Sequence, residues 1–144
     1  MRIFAGIVLV VLSLLCWGGQ TIVWLMPKTG VRLGLSEAEE HVEPVYWADI
    51  RGEAAWDFFT LWTMLAAALL LILDEPAWAY FGLVGGGMYL YFAGRGIFTR
   101  SAMRRRGFRV GAAANLKLGY TFLGIWGLMG LVTIAAAASA LVPR

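Results

Sequence analysis

The chain is poor in the residues from which catalytic and metal centres are built. Of its 144 residues only 15% are charged, and it holds one cysteine, one histidine and four prolines. A lone Cys16 excludes an intrachain disulfide and any Cys-x-x-Cys redox or zinc motif, and leaves the redox compartment unread. A lone His41 gives no Ser–His–Asp or Cys–His arrangement and no histidine-rich metal set. Gly-x-Gly-x-x-Gly and P-loop fingerprints are absent, so no phosphate cradle is written into the chain. Nothing here implies a cofactor.

Apolar sequence takes their place. The chain is 60% hydrophobic with a mean hydropathy of +0.73, whereas soluble domains run at about 45–50% apolar. The excess is gathered into the runs Ile3–Met26, Ala54–Leu73, Ala77–Phe98 and Leu118–Ala140. Each is about 20 residues or longer, enough to cross a hydrocarbon core of roughly 30 Å as a helix. The expected fold is an all-α membrane protein: one domain over residues 1–140, with four transmembrane helices in an antiparallel bundle. The first run is expected to be retained. It is too long for a signal peptide and lacks an Ala-x-Ala-like site, and Leu15 is too bulky to precede a lipoprotein cysteine at Cys16. Leu141-Val142-Pro143-Arg144 reads as the left half of a thrombin site, a cloning remnant.

Charge asymmetry orients the expected bundle. Four crossings put the 26–54 and 98–118 loops on one side, with Lys28, Arg32, Arg51, Arg95, Arg100 and the Arg104-Arg105-Arg106 cluster. Arg109 and Lys117 join them, while only Arg2 lies with the termini opposite. The positive-inside rule then places both long loops in the cytoplasm of a bacterial inner membrane and both termini outside. Trp24, Tyr46, Trp47 and Trp56 fit the inner interface and Trp78 and Tyr80 the outer one. Trp17, Trp62 and Trp126 fall deeper and read as packing residues.

The short Asp74-Glu75-Pro76 turn predicts a hairpin of the second and third spans. Gly82 and Gly86 form Gly-x-x-x-Gly in the third, and Gly124 and Gly127 punctuate the fourth. Small residues let helices approach closely in lipid, so the third and fourth spans should pack tightly, within or between subunits. At a constant offset Gly18 aligns with Gly82, Gly30 with Gly94, Phe58 with Phe122 and Trp62 with Trp126, the outline of a parallel repeat.

Polar residues converge on the basic side. Ser36-Glu37-Ala38-Glu39 has the spacing of a capping box, and Pro44 is expected to end or kink the short helix it opens. Asp49, Glu53 and Asp57 recur at i, i+4 and i+8, sharing one face of a helix entering the bilayer, with Thr60 continuing it. Arg95 lies at matching depth in the third span and is Asp57's expected partner. Gln20, Asn115 and Lys117 fall at the same level, so all four spans can line one cytoplasm-facing vestibule. Asp49 and Glu53 are also expected to clamp electrostatically against Arg104, Arg105, Arg106 and Arg109, a cluster suited to anionic headgroups rather than nucleic acid. Glu37 and His41 are the only candidate metal ligands, and two do not make a site.

The first functional expectation is an oligomeric channel or transporter passing a small solute or ion through the vestibule, opened by separating Asp57 from Arg95. A second is a non-catalytic assembly or regulatory subunit packing through its glycine faces. A third is a membrane enzyme acting on a lipid or thiol. In outline, four spans and a long first loop, the chain resembles the eicosanoid and glutathione-transferring membrane enzymes. Their Arg/Asn/Glu signature after the first span is missing; Asp49-Ile50-Arg51-Gly52-Glu53 is the nearest stretch.

Overall fold

A computed structural model describes residues 2–142 of the chain. The described residues are helical, without strands. Helix α1 spans Arg2–Leu25 and α2 spans Pro27–Arg32; a 3-10 turn at Glu39–His41 follows, then α3 (Pro44–Thr60), α4 (Trp62–Ile72), α5 (Trp78–Arg105) and α6 (Ala113–Leu141). The cloning remnant expected at 141–144 falls partly in the last turn of α6; Pro143 and Arg144 lie outside the described residues.

Three stretches are long and apolar enough to cross a membrane: Arg2–Leu25, Pro44–Ile72 and Ala113–Leu141, with mean hydropathies of 2.1, 1.8 and 1.8 over their most apolar windows. Helix α5, the expected third span, has the length at 28 residues but not the hydropathy, because glycine, tyrosine and arginine interrupt it. The outer surface is apolar to match. Phe4, Leu15, Phe98 and Leu128 are each more than 60% exposed, among many other large apolar side chains on the surface, more than soluble monomers usually carry.

The first loop departs from expectation. No side chain caps the 3-10 turn, whose N-cap is Ala38, and the Ser36 hydroxyl has no partner, so the capping box does not form. Glu37 is drawn elsewhere: its Oε1 accepts from the Ala112 amide at 3.1 Å and from Asn115 Nδ2 at 2.7 Å, tying the loop to the start of α6. Pro44 opens α3 rather than ending a helix; proline suits that position, where its missing N–H is not needed. A small core of Val42, Tyr46, Ile50, Val110 and Leu116 fastens both loops together. The α3 helix begins at Pro44, ahead of the acidic stripe and of the apolar run that starts at Ala54, and α6 begins at Ala113, ahead of the run that starts at Leu118, so both loops are shorter than the gaps between the runs.

The α3–α4 stretch is broken at Leu61, where side chains take over the backbone carbonyls. Trp17 Nε1–H donates to Phe58 O at 2.9 Å, Trp62 Nε1–H to Phe59 O at 2.9 Å, and the Thr63 hydroxyl to Thr60 O at 2.7 Å. In an apolar medium a freed carbonyl needs such a donor, so these side chains make the break tolerable.

Helix α5 packs on α6 along one face and on α4 along another. Its glycines permit both contacts. A Cβ at Gly85 would stand 2.7 Å from the Met64 backbone nitrogen, and one at Gly86 would stand 2.9 Å from Gly130 O. Gly82 and Gly127 are close but less tight: a Cβ there would stand 3.2 Å from Ala137 Cβ and 3.1 Å from Ala93 Cβ. Gly124 is a correction: it faces open space and takes no part in packing. The aligned glycines of the expected repeat do not share an environment: Gly18 is open where Gly82 is closely packed. The main core is Cys16, Leu61, Met64, Tyr89, Phe92, Leu123 and Met129, drawn from α1, α4, α5 and α6 with Leu61 at the break.

Candidate functional site: a polar network beneath a loop-side cavity

Helical spacing puts Asp49, Glu53 and Asp57 on one stripe of α3, and that stripe faces α5. Arg95 meets it, but its partners are Asp49, through Nη2, and Glu53, whose Oε1 lies 2.7 Å from Nη1. Asp57, one turn further along α3, is left without the direct pairing that depth matching predicts. Asp57 is 4% exposed and its Oδ2 has no hydrogen-bond partner. The physical reason is competition: a single guanidinium offers one planar fork, and two nearer carboxylates occupy it.

Asp57 belongs to a second group of buried polar side chains. Ser13 and Cys16 of α1 and Tyr89 of α5 are all essentially buried. The Tyr89 hydroxyl donates to Ser13 O at 3.3 Å, while the Ser13 hydroxyl is itself unpartnered. Nothing in the sequence points to Tyr89 as part of this group. A tyrosine amid glycines in a helix reads as packing until its partner helix is known.

On the loop side of the network lies a cavity of about 390 Å³. Gln20 and Asn115, both expected in the vestibule, line it together with Glu53. Asp57, Thr60 and Arg95 do not; Thr60 turns back to the Trp56 carbonyl at 3.1 Å. Lys117 faces a separate, shallow depression with Arg104, Tyr120 and Thr121. Arg100, Tyr46 and Ser36 line it as well, none of them expected in the vestibule. Arg100 sits over the Tyr46 ring at 5.8 Å and donates through Nη1 to Gly96 O at 2.9 Å, and Ser36 enters from the first loop. The apolar part of the wall includes Phe92, Phe122 and Trp126, the last two rings stacked with centroids 5.4 Å apart.

The expected acid–base clamp between loops takes another form. Arg109 pairs with Glu43 at 3.2 Å, while Arg104, Arg105 and Arg106 are exposed and make no ion pair among the described residues. Glu37 is committed to α6, as above. Among the described residues no group of three potential metal ligands assembles, so Glu37 and His41 stay two isolated side chains. Such a site can bind: one mouth lined with charges and amides, one apolar wall, and a charge network directly beneath it. No known protein family, no characterised protein and no solved structure matches the chain.

Proposed function

We propose that this chain is a four-crossing membrane protein that takes a small solute into its loop-side cavity and passes it onward by rearranging the charge network below. In this reading α5 is the fourth crossing. Its charges and glycines are compatible with lipid because α4 and α6 cover it, and the hairpin across Asp74–Pro76 makes the bundle antiparallel. The pairing of Arg2 with Asp74 supports a common side for the N-terminus and that turn. The positive-inside rule puts the loops and the cavity mouth in the cytoplasm and the termini outside, in a bacterial inner membrane.

The observation that carries the reading is the cavity itself. It has the volume of a small-molecule site, and polar or charged side chains reach it from α1, α3, α5 and α6. Through Glu53 its wall joins the Asp49–Glu53–Arg95 network, with Asp57 and the break at Leu61 further along the same stretch. Discontinuous helices beside buried charge are how transporters hold and release solutes. Passage requires the Arg95 pairs to loosen, because the core of Tyr89, Phe92 and Leu123 closes the way beyond. The exposed arginines of the 104–106 cluster suit anionic headgroups, and self-association would cover some of the exposed apolar surface.

The test is uptake into proteoliposomes across a panel of small organic acids, amines and zwitterions. Saturable uptake above protein-free vesicles, lost in Arg95→Gln and altered in Asp57→Asn, is expected. Uptake that neither substitution changes refutes the proposed route.

A further inference from the structure

The cavity is bounded on one side by helices that are not packed together: α1 and α6. They are joined by Trp126, whose Nε1–H donates to Leu12 O at 3.4 Å. On the loop side of that contact the seam stays open. A Cβ added at Gly19 or Gly119 would meet nothing within 4 Å. Leu15, Leu118 and Phe122 line the cavity yet are 61%, 54% and 41% exposed. In a four-crossing bundle these residues face acyl chains, so the cavity has a side entrance from the bilayer.

The charges within it are not balanced. Glu37 is satisfied by the Ala112 amide and Asn115, and Glu53 is held by Arg95. Arg100 has only the Gly96 carbonyl and the Tyr46 ring, and pairs with no carboxylate among the described residues. A guanidinium carries five donors in a planar fork, so Arg100 retains capacity for an anion. The Ser36 hydroxyl, buried and unpartnered, lines the same cavity.

Resting on the reading of this cavity as the solute site, we infer that its ligand is a single-chain anionic amphiphile of the fatty-acid class, entering sideways through the α1–α6 seam. The carboxylate takes Arg100 and Ser36, while the chain lies against Leu15, Phe122 and Trp126. A solute arriving from water would need no gap on the lipid side.

The experiment uses the full chain in phosphatidylcholine vesicles with a diazirine-bearing palmitate analogue, photolysed and mapped by peptide mass spectrometry. Saturable labelling is expected at 15–19 and 122–126, competed by unlabelled palmitate and not by water-soluble butyrate. Arg100→Gln should lower it about tenfold, the effect of losing one charge-assisted contact, and Arg100→Lys should retain most of it. Gly119→Trp, which fills the seam without touching the head site, should lower labelling too and keeps the test decisive if Arg100→Gln fails to fold. Unsaturable labelling spread equally over Phe4, Leu14 and Leu128 overturns the inference. Equal competition by butyrate overturns lateral entry while leaving the solute cavity standing. Disulfide-linked dimers of Gly119→Cys would put a second copy in the seam and overturn it as well.

Discussion

Gly130→Ala is the sharpest probe of the packing on which the cavity depends. The Cβ it adds would stand 2.7 Å from Gly86 O and 3.1 Å from the Leu90 amide nitrogen, both backbone atoms that no rotamer change can move. Ordinary contact begins at 3.4 Å, so α5 and α6 must part by about 0.7 Å at their closest approach. Overpacking of this kind costs roughly 1–3 kcal/mol. Against it stands the helix preference of alanine over glycine, about 1 kcal/mol at most. With both contacts on backbone atoms the clash outweighs that gain, and a net loss of up to about 2 kcal/mol is expected. Gly124→Ala has the same preference and meets nothing within 4 Å, so it should be neutral or slightly stabilising. Unfolding of the two variants in mixed micelles, titrated with a denaturing detergent, measures the difference. Equal stability of Gly130→Ala and Gly124→Ala would refute the close α5–α6 approach.

Arg95→Gln strands Asp49 and Glu53 and should destabilise by up to about 3 kcal/mol, the low end for breaking a buried pair because Arg95 keeps a quarter of its side chain exposed; detergent-denaturation midpoints check it. Asp57→Asn removes a buried carboxylate that has no direct partner and should be neutral or stabilising by the same assay, in contrast to Glu53→Gln. Arg109→Ala breaks an exposed pair and should cost under about 1 kcal/mol, a loss that vanishes in high salt. Glu37→Gln should loosen the first loop from α6, seen as faster amide exchange at 112–116 while the exchange of α4 is unchanged.

The helical class and the stretches of α1, α4 and α6 were legible because long apolar runs need no partner to be recognised. The start of α3 was not: Pro44 is a breaker or an opener depending on what precedes it, and only the docking of the loop on Val110 and Leu116 decides. The acidic stripe of α3 was readable from its period of four, and so was its meeting with Arg95. Which carboxylate Arg95 would choose was not, since depth matching ignores how many acceptors one guanidinium can hold. The packing of Gly82, Gly86 and Gly127 followed from their type, yet Gly124 has the same type and the opposite environment. Glycine spacing marks where helices can meet, and the rotation of each helix decides where they do. Arg100 and Tyr46 are distant in sequence and carry no shared motif, so their pairing appears only once α3 and α5 are side by side.

The cavity can lie within the bilayer only if α5 crosses it, although α5 lacks the hydropathy of the other three stretches. Reporter fusions inserted at Glu75, before α5, and at Gly107, after it, test this directly, with one reporter active only outside the inner membrane and one only inside. Opposite compartments are predicted, with Gly107 inside. Both positions on the same side would contradict the four-crossing bundle, and with it the membrane-embedded cavity between α1, α3, α5 and α6.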